Sequence, residues 1–384
     1  MSLSEFLKKK AVALETKQAS MFTRDIPKLK KYVAHFKEPK DLTARAYYQY
    51  RCQTKLMGGF LGFCLNLASF PLLCYYWLLA SKKAPEQVTP VQAVFIRDGK
   101  PENIMPQCLR DEFETLECDP VEGTWLTKED KRFLRRLWRR HPFSWHFVLK
   151  VLIKVMRYRY FLAAYQPKAL VVCNEYSFTS SALTLFCREN GVELVNVMHG
   201  EKTFDLRDTF FAFDRCFVWN EFYRDLFLSL RAEPTQFRIA VPDSLIFKQR
   251  GGEKSFDYSY YLGNEDGEVL RTIVEAMVRL SRAGYSVAIR PHPRYSDIAH
   301  IKEYAAGTNI EIEDTSTLTI ERSVLRTRYA VSLFSTVLNQ AYHNGVGVVI
   351  DDVSNPPFYA KLGELGFTML SVEHTLLSQL LERS

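Results

Sequence analysis

Between residues 91 and 350, short apolar runs alternate with longer stretches that place an apolar residue every three or four positions. Residues 91–97 (VQAVFIR), 168–173 (KALVVC), 193–198, 216–219 and 238–242 are runs of the first kind. Their length and β-branched content predict strands buried on both faces. Helices are predicted near residues 105–113, over 177–187 with its Ser/Thr cluster at the start, and over 221–230 behind Asn220. A second series follows. Strands are predicted at 257–262, 285–289, 310–312, 329–333 and 347–350, and helices at 267–283, 320–325 and 337–343. Strands that alternate with helices of this length form parallel sheets of the α/β class. The polar, glycine-containing stretch 249–254 is the expected linker. Domains are therefore expected over 86–248 and 255–384.

Two of these strands run into a histidine. Val195-Asn196-Val197-Met198 is followed by His199-Gly200-Glu201, and Val287-Ala288-Ile289 by Arg290-Pro291-His292-Pro293-Arg294. Ligands of open α/β sheets bind at the carboxyl ends of strands, so two such ends predict two Rossmann-like domains facing a cleft. In the second loop two prolines hold the backbone extended and remove two amide donors. A rigid loop with a histidine and two guanidinium groups suits a phosphate, which Arg binds in a bidentate fork. Ser335-Thr336 also follow a strand and open a helix, where hydroxyls and free amides make an anion site. Asn339 and Gln340, one turn on, are within reach of the same ligand. In the first loop Gly200 lets the chain turn sharply, and His199 is a natural general base near neutral pH. Glu201 and Glu175, at neighbouring strand ends, are candidates to orient or replace it.

Residues 57–80 contain no charged side chain, and Lys82-Lys83 follow. A spanning helix needs roughly 20 mostly apolar residues, so the length suffices, while Asn66, Ser69 and Pro71 interrupt the pattern. A membrane hairpin broken at Pro71, a true spanning helix and a buried helix of a soluble fold are the three readings. Charge bears on the choice. Of the net +7, residues 1–56 carry thirteen Lys/Arg against five Asp/Glu. Basic segments of this kind attach to anionic leaflets. Residues 1–85 are therefore expected to be a basic leader plus a membrane-associating segment, on the cytoplasmic face of the membrane. A second basic block places Arg132, Arg135, Arg136, Arg139 and Arg140 on one helix face, followed by a helix over 143–161. An interfacial helix and a solvated arginine face are both open for it. No nucleic-acid motif is present, and the aromatics fall at core spacing.

The eight cysteines form no C-x-x-C pair and most lie in apolar runs, which fits a reduced setting rather than disulfides or zinc. No G-x-G-x-x-G, P-loop, H-E-x-x-H or G-x-S-x-G pattern occurs, and no D-x-D pair suggests a divalent ion. No cofactor and no metal site is expected.

His199-Gly200, then R-P-H-P-R at 290–294, then Ser335-Thr336 resembles the bacterial GT-B transferases of surface polysaccharides. This group spans sialyl- and polysialyltransferases, Kdo transferases and CDP-glycerol polyol-phosphate transferases, and the resemblance covers about residues 90–384. It implies that His292, Ser335 and Thr336 hold a donor phosphate, with Arg290 and Arg294 beside them. The His-Gly histidine of the polyol-phosphate transferases implies His199 as base. The similar sialyltransferases take their base from a D/E-D/E-G motif. The sequence is read as lacking that tripeptide, which argues against a sialic acid donor and leaves Glu175 and Glu201 as substitutes. The expected function is a metal-independent, inverting glycosyltransferase using a nucleotide-activated sugar, CMP-sugars favoured, on a surface glycan or lipid-linked acceptor. A polyol-phosphate transferase and a non-catalytic assembly scaffold are the alternatives.

Overall fold

The computed structural model describes residues 24–79, 89–100, 102–121, 125–248 and 253–383. They form two compact units. The first holds the chain to His199 together with Phe204–Ala240, and the second holds Gly200–Thr203 together with Val241–Ser384. The expected linker at 249–254 falls mostly outside the described residues.

Helix α1 (Ile26–Ala34) starts at Asp25, whose carboxylate accepts the Lys28 amide. Helix α2 (Leu42–Met57) is capped in the same way by Asp41. It lies in the stretch expected to be a basic leader, yet much of it is buried. Gln49 is fully buried, and its amide donates to the carbonyls of Glu175 (2.8 Å) and Arg207 (2.6 Å). Gln53 donates to the Tyr176 carbonyl and Arg45 pairs with Glu233. A face built from Ala46, Gln49, Tyr50 and Cys52 packs into the unit, and an isolated reading of charge along 1–56 misses it.

Gly58, at φ +84°, ends α2 in a conformation that other residues rarely adopt. Helix α3 (Gly59–Leu79) follows at once and runs through Pro71 without a break. The hairpin expectation is corrected here. Proline removes one amide and restricts its neighbours, but packing against the unit keeps the helix continuous. Leu73 and Ser69 are buried on its inner side. Asn66 explains why a polar group sits in an apolar helix. Its side chain donates to the Phe143 carbonyl and accepts the His146 amide, so it holds the first turn of the helix Trp145–Tyr165. The outer side is apolar and exposed, with Phe60 at 84%, Leu78 at 78% and Phe63 at 61%.

The sheet of the first unit combines β1 (Ala93–Ile96), β2 (Thr115–Cys118), β3 (Ala169–Val172), β4 (Glu193–Val197), β5 (Arg215–Val218) and β6 (Phe237–Ile239). The interleaved helices are α4 (Gln107–Glu112), α5 (Lys128–Arg140), α6 (Trp145–Tyr165), α7 (Ser180–Glu189) and α8 (Glu221–Ser229). All pairings are parallel, in the order β2-β1-β3-β4-β5-β6. That order reverses between β1 and β3, the point where flavodoxin-like sheets leave a crevice. Ala93, Phe95, Val171, Val195 and Val197 fill the core beneath it. Strand β2 was not foreseen, because its exposed Leu116 and its glutamate hide the apolar pattern.

Helix α5 opens on a capping box between Thr127 and Asp130. Its arginines are largely paired: Arg132 with Glu129, Arg136 with Glu189 and Arg140 with Asp41. Arg135 lies over the Trp77 ring. The stripe is thus mostly a solvated, ion-paired face.

The second unit contains β7 (Phe256–Tyr261), α9 (Gly267–Arg282), β8 (Val287–Arg290), α10 (Ile298–Tyr304), β9 (Glu311–Ile312), α11 (Ile320–Leu325), β10 (Thr327–Ser332), α12 (Thr336–His343), β11 (Gly347–Ile350), α13 (Pro356–Leu365), β12 (Thr375–Leu376) and α14 (Leu377–Arg383). The sheet is again all parallel, ordered β12-β11-β10-β7-β8-β9. Numbered within the unit this is 3-2-1-4-5-6 read from β9, the dinucleotide-fold order, whose switch point lies between β7 and β10. Tyr260, Ile273, Val274, Met277, Ile289, Val331 and Val349 are fully buried in its core. The chain is an α/β protein with two Rossmann-like units, the fold class the sequence predicts.

Two predictions follow from these contacts. Gln49→Leu removes a donor from two carbonyls of the first unit and should cost about 1–3 kcal/mol, read as a lower urea midpoint at unchanged slope. Burial, with Arg140 and Lys150 respectively, pushes His141 and His146 down to about 4. The unfolded chain then binds more protons below its ordinary histidine range, so stability should fall as pH drops from about 6.5 toward 4. The His141→Gln, His146→Gln double variant should flatten that slope. An unchanged slope would contradict the assignment.

Candidate functional site

In the first unit the carboxyl ends of β3 and β4 carry Asn174-Glu175 and His199. Asn196, fully buried within β4, connects them. Its oxygen accepts the Asn174 amide at 2.7 Å and its nitrogen donates to Glu175 Oε2 at 3.1 Å. Glu175 is only 1% exposed, so this carboxylate is held inside the strand edge. His199 is half-buried, and Gly200 after it takes φ +72°, the turn expected of that glycine.

Glu201 was expected beside His199. It belongs to the second unit, where Asn339 donates to Oε2 at 2.5 Å and Thr368 to Oε1 at 3.2 Å. Asn339 is fully buried. Glu201 and Asn339 therefore bond to each other within the second unit, where the sequence placed one beside His199 and the other on the ligand. Gln340 likewise donates to the Ser244 carbonyl at 3.0 Å. Thr368 was missed, since nothing in its local pattern marks it.

At the switch point of the second sheet, β10 delivers Ser335 and Thr336. Ser335 caps α12, its hydroxyl oxygen accepting the Val337 amide at 3.2 Å. Its own O–H proton remains as a donor, next to the first-turn amides of the helix.

One strand over from β7, β8 ends at Arg290. The guanidinium, expected on a ligand phosphate, is instead 8% exposed and turned into the unit. It donates to Glu313 at 2.9 Å and to the Leu318 carbonyl at 2.9 Å. Ser323 and Arg326 bond the same glutamate. Arg290 thus anchors the loop. The loop itself is ordered by short-range bonds: the His292 amide donates to Ser296 Oγ at 2.7 Å, and the ring stacks on Tyr295 at 4.6 Å. His292 Nδ1 accepts the Arg294 amide at 3.1 Å. A neutral ring that accepts at Nδ1 carries its proton at Nε2. Burial and then Arg294 lower its pKa, which favours that neutral, Nε2–H form. Arg294 is exposed.

The loop after β7 was overlooked. It contains a D/E-D/E-G tripeptide after all, Glu265-Asp266-Gly267, and the Gly263 amide donates to Glu265 at 2.6 Å. Burial raises the pKa of Glu265, with Asp351 adding to the shift. Asp351 ends β11 and accepts from Tyr260, Val353 and Ser354. Among the described residues, no group of three or more His, Cys, Asp or Glu could hold a metal ion.

No protein-family profile and no curated protein matches the sequence. Solved structures resemble it distantly. A chain assigned as a UDP-N-acetylglucosamine 2-epimerase from Listeria monocytogenes is 13% identical, with a TM-score of 0.48 over 77% of this chain and 87% of that one. The wall teichoic acid polymerase TagF is 9% identical, with a TM-score of 0.41 over 87% of each chain. A glycosyltransferase from Rickettsia africae is 9% identical, with a TM-score of 0.37 over 70% of this chain and 80% of that one. Function at this distance rests on the chain's own residues.

Removing Glu313 tests the anchor. Glu313→Ala strands a buried guanidinium and should cost about 3–5 kcal/mol. A loss below about 1 kcal/mol in chemical denaturation would show that Arg290 has another partner in solution.

Proposed function

We propose that the chain is a metal-independent, inverting glycosyltransferase. It moves a sugar from a CMP-activated donor to a surface polysaccharide or lipooligosaccharide acceptor at the cytoplasmic face of the membrane. The observation that carries this reading is the carboxyl edge of the second sheet. There the helix start at Ser335-Thr336 sits at the switch point of a 3-2-1-4-5-6 sheet, and a histidine loop ends the strand beside β7.

In this reading the acceptor oxygen attacks the anomeric carbon and the bond from that carbon to the donor phosphate oxygen breaks. The nucleotide leaves with the bonding electrons. His292 Nε2–H, the Ser335 hydroxyl and the dipole of α12 stabilise the charge that grows on the phosphate. Arg294 adds long-range attraction. His199 takes the proton of the acceptor hydroxyl, with Glu175 as the acid on the adjoining strand end. Arg290, Glu201, Asn339 and Gln340 position these elements rather than touch the donor.

The membrane part of the proposal rests on α3. Gly59–Leu78 is apolar and long enough to cross a bilayer. It packs along one side of the first unit and exposes the other, which is the arrangement of a helix lying in an interface.

Three measurements test the proposal. His292→Ala should lower turnover at least about a hundredfold, as loss of a charge-stabilising donor does, with an unchanged melting curve. A near wild-type rate would contradict the donor-phosphate role. A screen of CMP-, CDP-, UDP- and GDP-activated donors should find transfer from a CMP-sugar. Transfer of a polyol phosphate from a CDP donor, or no transfer at all, would replace the proposal with one of its alternatives. For the membrane part, recovery of all the protein in the soluble fraction at low salt without detergent would be contradictory.

A further inference from the structure

Where α2 turns into α3, the first unit holds an open cavity of about 410 Å³. Tyr32 from α1, Tyr47, Arg51 and Lys55 from α2, Phe63 from α3 and Phe143 line it. Three glycines keep one wall low. A side chain built at Gly58 or Gly59 would meet nothing within 4 Å, and at Gly62 only Thr54 at 3.9 Å or more.

The chemistry of this wall is divided. One side is cationic and hydroxylated. The Lys55 ammonium lies 5.4 Å from the centre of the Tyr32 ring, and Tyr47 is bonded to the Ser144 hydroxyl. Arg51 and Lys55 are exposed. Among the described residues neither forms an ion pair with a carboxylate, while Arg45, Arg136, Arg140 and Arg159 all do. Arg51 and Lys55 therefore stand together at the mouth of one cavity with their charges open to an anion that enters it. The other side is apolar. Phe63 and Phe143, at 61% and 78% exposure, continue the bare face of α3.

We infer that this cavity binds the phosphate headgroup of a membrane lipid, with Arg51 and Lys55 on the phosphate and the lipid chain running out along Phe63 and Phe143. The assignment rests on the membrane reading of α3. A soluble phosphate would use the cations but leave the aromatic rim in water. A lipid phosphate uses both sides, and the turn at Gly58 sets the headgroup site at the root of the helix that lies in the bilayer surface.

Flotation of the full chain with phosphatidylcholine vesicles, with and without phosphatidic acid, tests it. Phosphatidic acid should strengthen binding about tenfold or more, the scale expected of two basic residues at a surface. The Arg51→Gln, Lys55→Gln variant should lose that gain and keep its binding to phosphatidylcholine alone. The Arg135→Gln, Arg139→Gln variant, which removes equal charge outside the cavity, should keep most of it. Equal loss in the two variants would reduce the effect to general surface charge and overturn the cavity. Displacement by millimolar inorganic phosphate would overturn the lipid in favour of a soluble anion. Absence of binding to any vesicle would instead refute the membrane reading itself, and inserting charge on α3 alone (Phe60→Glu, Leu78→Glu) separates the two: it should abolish binding to both kinds of vesicle.

Discussion

Parallel pairing is the constraint from which the remaining features follow. In each unit six strands run the same way, so all their carboxyl ends, and the loops that leave them, gather on one edge. A parallel strand must also be covered on both faces, which is why β1, β3 and β8 are buried at every position. Most interior positions are taken by apolar side chains, and the charged groups gather at the strand ends. His199, Glu175, His292 and Ser335 all stand there.

Strand-end polar groups divide into those whose bonds are used within their own unit and those that keep a hydrogen-bond donor. Arg290, Glu201 and Asn339 are bonded within their own unit, where an unpaired group would be costly. They fix loops. His292 and Ser335 are also held, but by bonds that use an acceptor and leave a donor: Nδ1 accepts from Arg294, Ser335 Oγ from Val337. Preorganised donors of that kind are what an anionic leaving group requires. The distinction also explains why the prolines matter. They remove amides from the His292 loop, so its remaining backbone bonds to Ser296 and the ring decide its shape.

Much of this was legible in the sequence. The strands β3, β4, β7 and β11 and the helices α9, α11 and α12 follow directly from apolar runs, caps and periodicity, and Asn220 and Ser335 cap where their residue types indicate. What was illegible depends on contacts between distant residues. Arg290 sits in a motif that looks made for phosphate, and only Glu313, twenty-three positions on, reveals that its charge is already answered. Glu201 follows His199 in sequence but bonds Asn339 and Thr368. Helix α2 carries enough lysine and arginine to look like a tether, while Gln49 and Ala46 tie it to the core. Pro71 suggests a break that packing and Asn66 override. Strand β2 escapes notice because an edge strand needs less apolar sequence.

The central claim is that the edge of the second sheet holds a nucleotide phosphate. Calorimetric titration of CMP, CDP, UDP and GDP into the full chain tests it most directly, repeated on the Ser335→Ala, Thr336→Ala variant. The account predicts saturable binding of a cytidine nucleotide, weakened about tenfold or more in the variant, the cost of about one charge-assisted hydrogen bond. No binding of any nucleotide, or equal binding by the variant, would contradict it.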